Sequence, residues 1–153
     1  MRAIKIEKNV KIGNTGKNIT LLSIEHDFNE IFEVFEDVVH DPSKENISNI
    51  LLEYENNNGK KLYGYFLDSK LVGIIGIKDN IENVEILHFG IHPEYRGKHL
   101  GTELMDYIKN KGITMVLSTD DDAIIFYKKY GFKHTKYFNE RHQKIRYDCI
   151  YEQ

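Results

Sequence analysis

Residues Ile91-His92-Pro93-Glu94-Tyr95-Arg96-Gly97-Lys98-His99-Leu100-Gly101-Thr102-Glu103-Leu104-Met105 constrain the fold more than any other stretch. An apolar strand there passes through a glycine-bearing loop straight into an amphipathic helix. Glycines allow close approach of the backbone, the first-turn amides of a helix have no intrahelical partners, and the helix dipole places partial positive charge at that end. Arg96 and Lys98 add formal charge. Such a junction either holds an anion or is only a tight turn that packs a helix onto a sheet, and the rest of the chain has to decide between the two.

Around this unit the sequence reads as alternating strands and helices. Residues Asn18 to Ile24 suggest a short strand, with which Met1 to Lys11 could form an N-terminal hairpin. Phe28, Ile31, Phe32, Phe35, Val38 and Val39 recur at helical spacing after Asp27, which can cap the helix while Glu30 completes a capping box. A second helix is expected from Asp41-Pro42, with proline at the first helical position, through Ile47, Ile50, Leu51 and Tyr54 to Asn56-Asn57-Asn58-Gly59. Lys61 to Leu67 and Leu71 to Ile77 flank Asp68-Ser69-Lys70 as a hairpin, and Glu82 to Ile91 supplies the next strand. After the helix from Leu100 to Asn110 come a strand from Ile113 to Thr119 and a helix from Asp120 to Tyr130 closed by Gly131. Lys133 to Phe138 and Lys144 to Tyr151 finish as an antiparallel pair. This order predicts an α/β (mixed α+β) fold: one mixed, mostly antiparallel sheet of six to seven strands with helices on both faces.

With 153 residues, 41% of them hydrophobic, the chain fits one domain over 1–153, of which 1–17 form an N-terminal extension or hairpin. Net charge is −3 with both signs interspersed, so no basic stripe suited to nucleic acid stands out. Cys149 is the only cysteine, which excludes an intramolecular disulfide and a CxxC site and points to a reducing cytoplasm. The longest strongly apolar stretch, Leu71 to Ile77, is interrupted by Gly73 and Gly76, so neither export nor membrane spanning is indicated.

Pro93-Glu94-Tyr95-Arg96-Gly97-Lys98-His99-Leu100-Gly101, followed by Ala123-Ile124-Ile125-Phe126-Tyr127-Lys128-Lys129-Tyr130-Gly131-Phe132, resembles the GNAT superfamily of acyl-CoA-dependent N-acyltransferases. The element order from near Asn18 to the C-terminus agrees with it. The resemblance implies acetyl-CoA as cosubstrate and an amine of a small molecule or peptide as acceptor. It implies that backbone amides of Arg96, Gly97, Lys98, His99, Leu100, Gly101 and Thr102 cradle the CoA pyrophosphate. The strand edge at Phe89, Gly90 and Ile91 would pair with the pantetheine arm, whose two amides suit an added strand. Asp120 stands where many relatives have an asparagine that contacts the cofactor, although an N-cap role serves equally well; Ser118 and Thr119 line the same slot, opened where the family's sheet splays. One departure is evident: the family's loop usually has glycine where His99 stands, and a side chain there is accommodated if its backbone keeps φ below zero.

By the same resemblance Tyr127 protonates the departing CoA thiolate, a task that suits a phenol, which is neutral at pH 7 and able to donate. A base must take a proton from the amine, since an ammonium group has no lone pair. Glu85 and His88 are the candidates: Glu85 matches a glutamate that acts through water in some relatives, while the reference pKa of His88 already lies near neutrality. Strand alternation puts these two on opposite faces unless a bulge intervenes, leaving at most one directed at the slot. The family's acceptor site would draw on Tyr54, His134, Tyr137 and Glu140, and its last strands mediate a homodimer in many relatives. His88, His92 and His99 invite a metal, but no cysteine or carboxylate completes a ligand set at a suitable spacing, and none is expected. Cys149 has no designated base, so direct transfer is expected over an acyl-cysteine intermediate. The alternative is a catalytically silent CoA-binding or regulatory module.

Overall fold

A computed structural model of the chain describes residues 10–11 and 16–153. Eight strands form one sheet in the order β1-β2-β3-β4-β5-β6-β8-β7, so the count exceeds the expected six to seven by the two-residue β1 (Val10–Lys11), which pairs with β2 (Lys17–Leu21). The rest of the expected N-terminal hairpin lies outside the described residues. β3 (Lys60–Leu67) and β4 (Lys70–Asp79) form the predicted hairpin, and Asp68 and Ser69 at its tip both take positive φ, the combination a two-residue type I′ turn requires. β5 (Val84–Ile91) pairs antiparallel with β4 and parallel with β6 (Met115–Asp120); every other pairing is antiparallel. β7 (Lys133–Asn139) and β8 (Lys144–Tyr151) close the far edge.

Helices cover both faces. α1 (Phe28–Phe35) and α2 (Lys44–Asn56) bury Ile31, Val34, Phe35, Ile47, Leu51 and Tyr54 against Leu62, Leu71 and Ile74 on one side of the sheet. On the other, α3 (Leu100–Lys109) buries Leu100, Leu104, Met105 and Ile108, a spacing of one face of a helix, against Tyr63, Tyr65, Val72 and Ile75, and α4 (Ile124–Tyr130) adds Ile124 and Tyr127. None of the described helices is long and apolar enough to cross a membrane.

Three helix boundaries differ from expectation. α1 stops at Phe35 although Val38 and Val39 continue its apolar period, and Glu30 forms no capping box: its carboxylate accepts the Leu71 amide of β4 at 2.8 Å, while Asp27 caps as expected. A partner across the fold outcompetes the local one. α2 begins after Ser43, whose hydroxyl takes the Asn46 amide, rather than at Pro42. α4 begins at Ile124 because Asp120 ends β6 and folds its carboxylate over the intervening turn, accepting the amides of Asp122 and Ala123 at 3.0 and 3.1 Å. Gly131 closes α4 in the left-handed conformation as read from the sequence.

Candidate active site

The site begins with one extra residue in β5. Gly76 faces His88, Ile77 faces Ile86, and Leu87 between them has no partner, which is a β-bulge. The bulge reverses the alternation of the strand. Before it, the Val84 amide bonds toward the β6 side, to the Thr114 carbonyl at 2.9 Å; after it, the amide of His92, also an even-numbered residue, bonds toward β4, to the Val72 carbonyl at 2.7 Å. Beyond the bulge His88 and Gly90 therefore spend their backbone groups on β4, and Phe89 and Ile91 turn theirs to the opposite edge.

That edge is open. β5 and β6 pair only through Val84 with Met115 and Glu85 with Val116, and beyond these residues no ladder joins them. The sheet thus splits above Glu85, leaving a slot whose β5 wall carries the N–H and C=O of Phe89 and Ile91. The Ile91 carbonyl accepts the Arg96 Nε at 3.0 Å, and the Arg96 Nη2 reaches Asp37 just past α1 at 3.3 Å.

At the mouth of the slot β5 ends in a single 3-10 turn, Pro93–Tyr95, capped by His92, whose Nδ1 accepts the Glu94 amide and whose Nε2 faces Glu33 of α1 at 3.1 Å. The loop then enters α3. Among the described residues nothing takes up the backbone amides from Gly97 to Thr102; the next, of Glu103, bonds the His99 carbonyl at 3.1 Å. The Arg96 amide, expected in this set, is instead engaged by the Pro93 carbonyl. Six consecutive amides at a helix N-terminus are thus left without a protein partner among the described residues, the arrangement a backbone anion site requires. The Leu100 side chain is buried in the core, so this residue offers its backbone alone. Gly101 is needed for packing: a Cβ there would lie 3.3 Å from the Phe89 ring and 3.4 Å from that of Phe126. Tyr65 and Lys17 hold the carboxylate of Glu103 and so pin the first turn of α3 to β2 and β3.

His99 overturns its expectation. It adopts φ 63° and ψ 15°, the left-handed region, and makes no side-chain cap. The loop keeps the conformation that glycine would take, and histidine bears the strain. A non-glycine residue in that region costs about 1–2 kcal/mol, whereas glycine's extra chain entropy costs about 0.5–1 kcal/mol. His99→Gly is therefore expected to raise stability by up to about 1.5 kcal/mol, read as a higher urea midpoint with an unchanged slope.

Tyr127 stands on the α3/α4 side of the slot, 7% exposed, its ring 6.1 Å from that of Phe89 and 5.4 Å from that of Phe126. Burial raises its phenol above the ordinary range, with Cys149 and Asp120 adding to the effect, so it stays protonated. His88 lies on the other side. Its ring packs edge-on against Phe35 and Tyr54, and Nδ1 lies 2.6 Å from the Tyr54 hydroxyl. Burial first, and Lys60 second, lower its pKa to about 4. Glu85 points to the same α1/α2 face, because Val84 and Ile86 on either side of it are buried in the other core, and the bulge brings His88 round to that face. The two candidates are therefore not on opposite faces. They differ in position along the strand: Glu85 sits where β5 and β6 are still paired, His88 where they have parted.

The depressed pKa of His88 has a consequence for stability. Below an unfolded value near 6.5 the unfolded chain binds a proton that the folded chain refuses until about pH 4. This contribution is present above pH 6.5 and is lost as pH falls toward 4, with a slope of at most about 1.4 kcal/mol per pH unit. Urea midpoints measured between pH 7 and 4.5 are expected to fall less steeply in His88→Gln than in the parent.

The remaining candidates fall around this frame. Lys98 is exposed with its ammonium 5.4 Å from the Tyr95 ring, and Thr102 is exposed on the first turn of α3. The Asp120 carboxylate accepts the Asp122 and Ala123 amides in the turn before α4, whose N-cap position is taken by Ala123. The Ser118 hydroxyl accepts Arg146 at 3.1 Å, while Thr119 is buried. Burial pushes the Cys149 thiol up, away from the thiolate form. Tyr54 reaches the site from α2; His134, Tyr137 and Glu140 lie at the far edge of the sheet, on β7 or just after it. Among the described residues no three histidine, cysteine, aspartate or glutamate side chains are placed to share a metal. The partnerships of Asp37 with Arg96 and of Glu33 with His92 have no local sequence signal, since each joins residues 59 apart.

A family model described as an acetyltransferase (GNAT) domain matches residues 56–134, which contain the slot, the cradle and Tyr127. A spermidine N(1)-acetyltransferase of Thermoplasma acidophilum is 32% identical over 99 residues, 60% of this chain and 62% of that protein, so the match spans less than two thirds of the relative's length. The structure of a PaiA N-acetyltransferase from the same organism, in complex with coenzyme A, superposes with a TM-score of 0.64 at 25% identity over 88% of this chain and 99% of that one. A GNAT family acetyltransferase from Elizabethkingia anophelis with acetyl-CoA bound gives 0.66 at 17% identity over 90% and 99%, a likeness of fold alone.

Proposed function

The chain belongs to the acetyltransferase (GNAT) domain family, and on that premise we propose that it is an N-acetyltransferase that moves an acetyl group from acetyl-CoA directly to an amine. One observation carries the reading: the split between β5 and β6 has unclaimed amides at its mouth, backbone donors along its wall, an imidazole on one face and a phenol on the other. The amides from Gly97 to Thr102 would take the pyrophosphate. The Phe89 and Ile91 edge would take the pantetheine amides as an added strand, with Arg96 yielding the Ile91 carbonyl.

The thioester then lies between the faces. An amine approaching from the α1/α2 side attacks the carbonyl carbon, a C–N bond forms, and the Phe89 N–H stabilises the developing oxyanion. His88, beside the open part of the slot and neutral at pH 7, is preferred to Glu85 as the group that accepts the amine's proton. As the C–S bond breaks, Tyr127 donates to the sulfur from the opposite face. With its pKa raised, the phenol acts chiefly through a hydrogen bond to the developing thiolate rather than through acidity. The thiolate leaves hydrogen-bonded to Tyr127 and takes a proton from solvent, to which His88 releases the one it accepted, so the products are the N-acetylated amine and free CoA thiol.

The spermidine acetyltransferase relative makes polyamines the first acceptors to assay. Calorimetric titration with acetyl-CoA, followed by a free-thiol assay across polyamines, aminoglycosides and peptide N-termini, tests the proposal. Saturable binding and amine-dependent thiol release are expected. Binding without release for any amine would instead make this a silent CoA-binding module, and absence of binding would refute both.

A further inference from the structure

We infer that Tyr54 is a positioning residue for His88: its hydroxyl oxygen accepts the Nδ1 proton, which leaves Nε2 as the bare nitrogen presented to the acceptor amine. The inference rests on the acetyl-transfer reading, in which His88 takes the amine's proton, but the tautomer can be read without any turnover.

Three elements converge to build this contact. Tyr54 comes from the last turns of α2, His88 is turned onto that face by the bulge in β5, and the strand between α2 and the ring, β4, has glycine at the crossing point. A Cβ on Gly76 would lie 1.9 Å from the Tyr54 hydroxyl oxygen, so a side chain there would occupy the place of the hydroxyl. An isolated glycine inside a strand marks such a close approach. The result is a 2.6 Å contact between Tyr54 and Nδ1, with the imidazole held edge-on to the rings of Phe35 and Tyr54.

A neutral imidazole has one donor and one acceptor nitrogen. Nε2 makes no hydrogen bond with the described residues and is not among the side-chain atoms sealed from solvent without a partner. An amine that directs its lone pair at the thioester carbonyl offers its neighbours only N–H groups. Nε2 must therefore be the acceptor, Nδ1 carries the proton, and Tyr54 receives it. A group that engages one ring nitrogen sets what the other can do.

Long-range 15N–1H correlation spectra of 15N-histidine-labelled protein test the tautomer without any turnover. The His88 signals are expected to show a protonated Nδ1 and a bare Nε2, and an Nε2–H form would overturn the inference. Tyr54→Phe, which keeps the ring, should lose this preference and lower kcat roughly tenfold, the weight of one hydrogen bond, with acetyl-CoA affinity unchanged. Gly76→Ala should give the same loss of tautomer by displacing the hydroxyl. In a His88→Gln background Tyr54→Phe should have no further effect on kcat. Unchanged kcat in Tyr54→Phe, or an additive double variant, would also overturn it. A parent protein that releases no thiol with any amine would instead count against the acetyl-transfer reading, leaving the spectra to decide the tautomer.

Discussion

Replacing Tyr127 by phenylalanine is expected to lower kcat by about 10²-fold, the low end of what one preorganised hydrogen-bond donor to developing charge contributes, while acetyl-CoA binding stays within a factor of about two, less than the weight of one hydrogen bond. The asymmetry follows from where the hydroxyl sits. The ring is part of the core formed with Phe89, Phe126 and Phe132, and Phe retains it. The oxygen makes no hydrogen bond with another described residue, so its removal breaks no internal contact. What it loses is a donor toward sulfur, and that interaction grows only as the C–S bond breaks, which places the effect in kcat and not in the ground state. Steady-state thiol release with a saturating amine, beside calorimetry of the variant, reads both numbers. A variant with full kcat would remove Tyr127 from the mechanism.

A backbone change should be still more costly. Substituting an ester for the peptide bond that supplies the Phe89 N–H is expected to reduce kcat by about 10²–10³, the range found for loss of one oxyanion donor. The fold should survive it. Because the bulge at Leu87 turns Phe89 away from β4, that N–H belongs to no ladder and its loss leaves the sheet paired. The same ester one residue later, at Gly90, removes a β4 hydrogen bond and leaves the slot edge intact, so it should lower the urea midpoint with a much smaller effect on kcat. Reversal of these two outcomes would mean that the alternation of β5 has been assigned to the wrong edge.

Both experiments turn on a feature that local sequence does not announce. The strand-loop-helix unit from Ile91 to Met105, the Asp68-Ser69 hairpin and the glycine-capped end of α4 were legible because each is written in neighbouring residues: apolar period, turn chemistry, a C-cap glycine. The bulge at Leu87 is not, since it exists only as a mismatch between β5 and its partner β4. The chain alone left Glu85 and His88 undecided for that reason. Likewise Tyr54 meets His88 across 34 positions, and the only local sign of it is Gly76, which by itself says only that something comes close. His99 shows the converse. Its sequence suggested a departure from the loop's usual backbone, whereas the surrounding chain holds the left-handed turn and imposes it on histidine, which tolerates that region better than most residues. The candidate site is therefore set by register and by long-range packing, and the run of unpartnered amides at the start of α3 by local sequence.

The most direct test of this account is to titrate acetyl-CoA into 15N-labelled protein and follow the backbone amides. Binding at the proposed slot predicts saturable shifts concentrated at Gly97 to Thr102, with Phe89 and Ile91 moving together with them and Gly90, engaged by β4, moving little. Absence of saturable shifts, or saturable binding that leaves Gly97 to Thr102 unmoved, would contradict it.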